Sequence, residues 1–237
     1  MLKKAIRYTI IFFAPFMFFC GSVNDSTDNR EFVPDTYTLA LYHFNENTGN
    51  VLFDCMQKWN GTLIKGKRTT GYSGKALQFS YGESARFDTI IPNKTPNGTV
   101  EFYFSLNDSP HKDSVYLVFG NDASRCNIYY KNGYLIFMKN HNDIFRYVEA
   151  KVSLINNNWY HVAATWGSKG LRLFINNTLI EQKADFTYYQ SSPRASEENI
   201  FKIGEKTYIG MEAIGISRSL SFEGSIDELR ISNIERY

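Results

Sequence analysis

The sequence predicts an all-β protein, and three observations lead to that prediction. From about residue 37 onward, short apolar or alternating runs recur along the chain, and turn residues separate them at close to regular spacing. Aromatic residues make up 16% of the 237 residues, with 19 Phe and 16 Tyr, a content typical of strands. After the amino-terminal apolar run, no segment keeps a helical period over three turns. The pattern therefore predicts a sandwich or barrel of antiparallel sheets.

The amino-terminal segment has the features of an export signal. Three basic residues lie within the first seven positions, and an uncharged apolar run follows at 8–19. This run is shorter than the roughly 20 apolar residues that a membrane-spanning helix needs. A membrane-spanning anchor is therefore the weaker interpretation, and residues 1–19 are predicted to be a signal peptide.

The residues after this run resemble those of a bacterial lipoprotein signal, in which a cysteine becomes the lipidated first residue. Cys20 ends the apolar run, and a stretch rich in Ser, Asn, Asp and Thr follows it. The resemblance implies lipidation of Cys20 and a protein exported to the bacterial cell envelope, at the outer membrane or cell surface. The polar composition of 20–36 predicts a flexible tether, so that the folded domain covers 37–237.

The predicted domain consists of short strands, and two of their connections are tight hairpin turns. Asn132-Gly133 and Asn176-Asn177 each separate two apolar runs, and Asn and Gly tolerate the positive φ angles that a two-residue turn requires. Both turns predict antiparallel pairing. The predicted strands cover residues 38–44, 76–79, 85–87, 99–106, 115–119, 127–130, 134–139, 145–150, 159–166, 171–175, 178–182, 207–210 and 224–231.

The last predicted strand, within FEGSIDELRISN, does not keep a single apolar face. Asp227 has the same parity as Leu229 and Ile231, whereas Ile226 and the apolar positions before it have the opposite parity. The sequence therefore predicts either a bulge at Asp227 and Glu228 or an inward-pointing carboxylate. Because an unpaired buried carboxylate is costly, Asp227 needs hydrogen bonds, a basic partner or a cation.

Charge and cysteine content narrow the functional classes. The net charge is +2, and the basic residues are spread along the chain, so no basic block indicates a nucleic-acid partner. Cys55 and Cys126 could form one disulfide in an oxidising compartment, or they could be two separate buried thiols. The spacing of these cysteines favours neither alternative.

Five segments, in this order along the chain, resemble laminin-G-like domains of the concanavalin A-like superfamily. The resemblance implies a jelly-roll sandwich of two antiparallel sheets, one concave and one convex, with no catalysis inherent to the fold. It extends from about Tyr37 to Tyr237. The segments are TLALYHFNENTGNVLFDCMQKWNGTLIKG, GYSGKALQFSYGESARF, GTVEFYFSLND, NNWYHVAATWGSKGLRLFINNTLI and FEGSIDELRISN.

The resemblance also implies a structural calcium ion, since many such sandwiches bind one on the convex side, where it ties the first and last strands together. Asn45 follows the first strand and Asp227 lies in the last, so these two residues match the expected ligands. Calcium prefers oxygen ligands of this kind. The alternative is that Asp227 accepts backbone N–H bonds at a bulge and that no metal is bound.

The sequence offers little support for catalysis. A glycosidase needs two carboxylates that flank the scissile bond, and related laminarinases carry them as Glu-x-Asp-x-x-Glu on one strand. The corresponding strand here has Glu101 alone among apolar residues. No zinc spacing, phosphate loop or nucleophile elbow is present in the sequence, and His161 is expected to be a buried histidine rather than a ligand or base.

Exposed aromatic residues are the expected contacts for a sugar ring. The candidates are Trp59, Tyr130, Tyr188 and Tyr189, of which the last two lie in a long polar segment. We therefore expect a non-catalytic cell-surface protein that binds carbohydrate and does not bind nucleic acid. An adhesion or assembly protein that binds another protein is the alternative, and a glycoside hydrolase or polysaccharide lyase is the third and weakest possibility.

Overall fold

The computed structural model describes residues 31–88, 95–107, 115–120, 126–141, 144–184, 200–203, 208–211, 216–218 and 220–237. Within these ranges the chain forms strands and turns, and none of the described residues belongs to a helix that could cross a membrane. In chain order the strands are β1 (Thr38–Tyr42), β2 (Val51–Leu52), β3 (Gly61–Lys65), β4 (Lys67–Thr70), β5 (Lys75–Phe79), β6 (Ser84–Asp88), β7 (Gly98–Leu106), β8 (Val115–Phe119), β9 (Cys126–Lys131), β10 (Tyr134–His141), β11 (Ile144–Lys151), β12 (Tyr160–Gly167), β13 (Gly170–Ile175), β14 (Thr178–Lys183), β15 (Ile200–Ile203), β16 (Tyr208–Met211), β17 (Ile216–Arg218), β18 (Leu220–Ser221) and β19 (Gly224–Ser232).

An eight-stranded sheet forms one layer of the molecule. Its strand order is β14-β13-β12-β7-β19-β5-β4, and β1 pairs with β19 beside this path. The last strand therefore lies in the interior of the sheet, with β7 along one side and both β5 and β1 along the other. Because side chains alternate along a strand, β7 directs Val100, Phe102 and Phe104 into the core and Glu101 to the outer face.

The opposite layer is divided into two sheets. A five-stranded sheet has the order β11-β10-β9-β8-β18, a four-stranded sheet has the order β15-β6-β3-β2, and β15 lies next to β8. The strands β16 and β17 pair with each other. Among the described strands, β18 and β8 pair in parallel, and the other pairs are antiparallel. The predicted all-β sandwich is confirmed, although its second layer is not one continuous sheet.

The core lies between these layers and is rich in aromatic rings. Phe137 of β10 faces Trp166 of β12 across the sandwich, with 6.5 Å between ring centroids. The rings of Phe79, Phe104 and Phe222 form a second group with centroid separations of 6.4–6.5 Å. Burial of a side chain of this size stabilises the fold by about 1.5–3 kcal/mol. The alternating pattern of the sequence thus supplies the contacts that hold the layers together.

Both predicted hairpin turns are confirmed. Asn132 and Gly133 connect β9 to β10 with φ angles of 47° and 80°, and Asn176 and Asn177 connect β13 to β14 with φ angles of 47° and 63°. Two consecutive positive φ angles match the twist of the flanking strands, which is why such turns favour Asn and Gly.

The two chain ends of the described domain pack on the outer face of the eight-stranded sheet. The ring of Phe32 lies 5.6 Å from that of Tyr103 and 5.8 Å from that of His161, measured between centroids. At the other end, the ring of Tyr237 lies 5.1 Å from that of Phe174. Residues 31–36, predicted from the sequence to belong to the flexible tether, thus contact the folded domain through Phe32 and Asp35.

The structure agrees with neither cysteine alternative, because Cys126 is a free thiol whereas Cys55 is disulfide-bonded. Cys126 is a free thiol in the core, so the disulfide between Cys55 and Cys126 is not formed. Burial raises the pKa of the Cys126 thiol to about 11, in spite of the opposing charge of Lys139 on the paired strand. A thiol in this environment is a poor nucleophile at neutral pH.

Candidate functional site

The candidate site lies where the beginning and the end of the domain meet. We call it the terminal seam, and it consists of Glu31, His43, Asn45, Asp227 and Glu228. Glu31 precedes β1, His43 and Asn45 follow β1, and the remaining two residues belong to β19, the partner of β1. The pairing of these two strands brings residues nearly 200 positions apart in sequence into one cluster.

A β-bulge in β19 explains why two adjacent carboxylates share the seam. Opposite β7, Asp227 pairs with Tyr103 and Arg230 pairs with Glu101, so β19 contains one extra residue between these positions. Glu228 has a φ of 53°, a value that is uncommon for a residue other than glycine. Both acidic side chains of the bulge are fully buried. The predicted bulge is confirmed, and it accounts for the opposite parity of the two halves of the strand.

Asp227 accepts hydrogen bonds from backbone N–H groups. Its Oδ2 accepts from Ser73 N at 3.0 Å, and its Oδ1 accepts from Glu228 N at 2.8 Å. Burial raises the pKa of Asp227 well above its ordinary value, and the neighbouring charge of Glu228 raises it further. These N–H bonds provide part of the compensation that a buried carboxylate at this position requires.

Asn45 contacts the same turn, at residues 71–75. Its Oδ1 accepts from Lys75 N at 2.7 Å, and its Nδ2 donates to Glu31 Oε1 at 2.7 Å. The side-chain oxygens of Asn45 and Asp227 are hard donors of the kind that calcium prefers, and each could still use a second lone pair. A calcium ion at Asn45 and Asp227 stays a prediction.

His43 and Glu228 form a buried pair in the centre of the seam. The distance from His43 Nδ1 to Glu228 Oε1 is 2.7 Å, and Glu228 Oε2 accepts from Phe32 N at 2.7 Å. Burial raises the pKa of Glu228, although His43 acts in the opposite direction. Burial also disfavours the imidazolium form of His43, but the hydrogen bond and charge of Glu228 outweigh it and raise the pKa of His43.

A second polar cluster, the Glu101 network, lies on the outer face of the same sheet. Glu101 Oε1 accepts from Arg230 Nε at 2.8 Å, while its Oε2 accepts from Tyr237 Oη at 2.5 Å and lies 3.2 Å from His161 Nε2. Burial opposes ionisation of Glu101, but the bond to His161 and the charge of Arg230 together hold its pKa below the ordinary value. His161 is buried, as predicted, and its Nδ1 makes no hydrogen bond.

The predicted ligand-binding aromatics do not form one cluster among the described residues. Tyr130 is 6% exposed and packs in the core, because the alternation of β9 directs its ring between the layers rather than to the surface. Trp59 is half-buried against the core, and its carbonyl accepts a hydrogen bond from Tyr42 Oη at 2.5 Å. Tyr188 and Tyr189, like Cys20, lie outside the described residues.

Comparison with known proteins assigns the fold to a family. A family model for the concanavalin A-like lectin/glucanases superfamily matches residues 79–236, which is about two thirds of the chain. The chain belongs to this superfamily. The match runs from the end of β5 through β19, so it includes the bulge and, of the Glu101 network, Glu101, His161 and Arg230 but not Tyr237. None of the curated proteins compared with the chain matches it significantly.

Solved structures of the same fold include toxin receptor-binding domains and a sialidase. One is a structure of botulinum neurotoxin type C, whose cell entry depends on interaction with two ganglioside molecules. It has 13% sequence identity to this chain and a TM-score of 0.60. The binding domain of botulinum neurotoxin DC, in complex with rat synaptotagmin II, has 12% identity and a TM-score of 0.59. Trypanosoma rangeli sialidase with the inhibitor DANA has 12% identity and a TM-score of 0.58.

These matches cover most of this chain but only part of the solved chains. Each toxin structure aligns with 85% of this chain, which spans 49% of the toxin chain, and the sialidase aligns with 84% of this chain, which spans 31% of the enzyme. This chain thus spans about half the length of the toxin chains. At such low identity the likeness concerns the fold, and it does not transfer a ligand or an activity.

Proposed function

We propose that this protein is a non-catalytic binding protein that recognises carbohydrate at the cell surface. The observation that supports this proposal most directly is the match of residues 79–236 to a superfamily of lectins and glucanases. Botulinum neurotoxin type C, whose cell entry depends on interaction with two ganglioside molecules, has the same fold and adds a precedent for binding of a glycan-bearing ligand.

The environment of Glu101 supports the non-catalytic part of the proposal. A general acid for glycoside cleavage needs a raised pKa and access to the scissile bond, with a second carboxylate opposite it. Glu101 has a lowered pKa, is fully buried, and is covered by the hydroxyl of Tyr237. A polysaccharide panel tests this point, because hydrolysis by the wild type that is lost in Glu101→Gln, under conditions where the variant keeps the wild-type circular dichroism spectrum, would contradict it.

A glycan array with the purified protein, in the presence and absence of calcium, tests carbohydrate binding. We expect binding to a restricted set of glycans, and weaker binding by Trp59→Ala if the half-buried indole contacts the sugar. Glu149→Gln, an exposed substitution on β11 that removes no aromatic ring, is the control and should bind as the wild type does. An array without any specific glycan under either condition would refute the carbohydrate proposal.

A protein partner is the second candidate function, and exposed apolar residues favour it. Val51, Phe53 and Ile64 lie on or directly beside the adjacent strands β2 and β3, and they are 45%, 36% and 60% exposed. Neighbouring apolar groups of this kind mark interaction surfaces more often than isolated ones do. Affinity capture from the cell envelope tests this alternative, and Ile64→Glu should abolish any stable complex that forms through this surface.

Export and lipid attachment at Cys20 complete the proposal. The observation behind them is the basic and apolar leader that ends in Cys20. Labelling of growing cells with a fatty-acid analogue should mark the wild type but not Cys20→Ser, and cell fractionation should place the wild type in the envelope. Unlabelled wild type in a fraction without membranes would contradict the proposed anchor.

Structural calcium at Asn45 and Asp227 is the last part of the proposal, supported by the pairing of the first and last strands beside these oxygens. Calcium should raise the melting temperature of the wild type, and a chelator should reverse that change. A melting temperature that does not respond to chelator at neutral pH would remove calcium from the proposal.

A further inference from the structure

The terminal seam contains a mixed set of metal-ligating atoms. Glu31, His43 and Glu228 each offer one ligand atom, and these three atoms lie within 4.8 Å of one another. They come from three separate positions in the chain, before β1, after β1 and in the bulge of β19. The fold therefore places a carboxylate and an imidazole nitrogen that flank β1 beside a carboxylate of β19, which is distant from both in sequence.

The backbone and neighbouring side chains hold this set in position. The side chains of His43 and Glu228 are 11% and 0% exposed, and the positive φ of Glu228 directs its carboxylate into the seam. Phe32 N donates to the second oxygen of Glu228, and Asn45 Nδ2 donates to Glu31. Bonds of this kind to ligand carboxylates orient metal ligands in known sites and tune their affinity.

The charge of the seam also favours a cation. The carboxyl groups of Glu31 and Glu228 lie close to the single imidazole of His43, and Asp227 is the neighbour of Glu228 in the bulge. The nearby Glu46 is already paired with Arg68, at 2.8 Å between Oε2 and Nη1. Buried carboxylates without enough positive charge are costly. A divalent ion among these groups would supply the charge that one histidine provides only in part.

We propose that Glu31, His43 and Glu228 bind a divalent transition-metal ion of the zinc class. Zinc and related ions accept imidazole nitrogen and carboxylate oxygen together at about 2.0–2.2 Å, whereas calcium takes six or more oxygen ligands. Donors bound at these distances lie about 3.4 Å apart in a tetrahedral site. His43 Nδ1 and Glu228 Oε1, now 2.7 Å apart, need to separate only slightly.

Binding at this site replaces a hydrogen bond with metal bonds. A protonated His43 loses the Nδ1 proton to solvent, because the metal uses the lone pair of that nitrogen. Three protein ligands leave one coordination position for water or for an oxygen of a bound ligand. The metal would tie the segment before β1, the segment after β1 and β19 to one another, which stabilises the junction of the two chain ends.

Isothermal titration of the metal-free full chain with zinc chloride tests the proposal, with thermal melting as a second measurement. We expect one ion per chain and a higher melting temperature with zinc. Glu31→Gln and His43→Gln should each weaken zinc binding by at least about tenfold, the scale on which even an outer partner of a metal ligand acts. Glu149→Gln, an exposed substitution on β11, is the matched control and should bind as the wild type does.

Further measurements distinguish this site from other metal binding. Cobalt in place of zinc should give a visible absorption band in the wild type that His43→Gln lacks. Because Glu31 is only half-buried, Glu31→Gln should keep the wild-type circular dichroism spectrum, which separates a lost ligand from a lost fold. The proposal is overturned if the wild type binds no zinc at millimolar concentration, or if binding persists unchanged in both ligand variants.

Calcium serves as the competing ion in the same titration. Calcium binding that is lost in Asn45→Ala and unaffected by His43→Gln, with no zinc site, would overturn the zinc proposal and leave the calcium site. None of these measurements involves a glycan, so their failure does not depend on whether carbohydrate binding is found.

Discussion

Glu101 is a buried carboxylate that its neighbours keep in the ionised form. It lies in the middle of the eight-stranded sheet, and both of its oxygens accept hydrogen bonds from cationic or neutral donors. Its negative charge also faces Arg236, whose Nε lies 3.6 Å from Oε1. Removal of this charge would leave the guanidinium groups of Arg230 and Arg236 without their shared partner.

The substitution Glu101→Gln should therefore destabilise the domain. We expect the free energy of unfolding to fall by about 3 kcal/mol, since one partner of a buried ion pair is removed while the other stays buried. Urea unfolding at neutral pH measures the change. Glu149→Gln on the exposed side of β11 is the control and should change stability by less than about 0.5 kcal/mol. Equal stabilities of the two variants would show that Glu101 contributes little.

At the scale of elements, the turn at 71–75 positions the seam. It joins β4 to β5 and donates backbone N–H groups to Asn45 and Asp227. Gly74 has a φ of 60°, and a Cβ at this position would overlap Asn45 Oδ1. The close approach of the turn to Asn45 thus depends on the absence of a side chain at Gly74.

Alanine substitutions at Gly74 and Gly82 distinguish the cost of steric overlap with Asn45 from the cost of backbone strain alone. Gly82 has a φ of 78°, and a Cβ there would meet no atom within 4 Å. Gly82→Ala should therefore cost only the backbone strain of about 1–2 kcal/mol, and Gly74→Ala should cost about 1–3 kcal/mol more through overlap. Chemical unfolding of both variants measures the difference. Similar losses in the two variants would mean that the turn moves away from Asn45 without penalty.

Strand alternation and turn residues predicted most of the elements, and the exceptions have physical reasons. β4 has the sequence KRTT and β3 carries a bulge near Ile64, so neither shows the apolar alternation on which the prediction depends. β2 consists of two residues, and among the described strands it pairs only with β3. Such strands form because neighbouring strands provide hydrogen-bonding edges, and this information is not local in the sequence.

The candidate site was predictable only in part. The broken parity in β19 indicated a bulge at Asp227, and the place of Asn45 after β1 indicated the partner segment. Glu31 gave no signal, because it lies in a polar stretch whose average composition is that of a tether. Its contact with Asn45 depends on the packing of Phe32 against the sheet, and a single apolar residue in a polar segment is too weak a pattern to predict this.

At the scale of the whole molecule, an ion pair joins the two ends of the described domain. Asp35 accepts from Arg236 with both oxygens, at 2.7 Å from Nη2 and 2.9 Å from Nη1. The hydrogen bond from Arg236 is the main reason why the pKa of Asp35 lies well below its ordinary value of 3.8. Because the folded-state pKa is lowered, this contribution to stability is present above about pH 3.8 and is lost as the pH falls below it.

The variant Asp35→Asn should be less stable than the wild type at neutral pH. In acid the difference between their free energies of unfolding should shrink, because Asp35 becomes protonated. The side chain of Asp35 is 43% exposed, so solvent screening limits the expected loss to about 1 kcal/mol or less. Urea unfolding of wild type and variant, at about pH 7 and about pH 2.5, measures it. A difference that is as large in acid as at neutral pH would mean that the loss does not arise from the charge of Asp35.

The interior position of β19 sets a condition on the order in which the protein can fold during synthesis. Until residues 224–232 have emerged from the ribosome, β7 and β5 lack the strand that lies between them, and β1 lacks its partner. A nascent chain that stops before this point exposes unpaired edges that can pair with other chains. The eight-stranded sheet therefore cannot form strand by strand as the chain is synthesised from its amino terminus. It is completed only when β19 inserts between β7 and the strands β5 and β1.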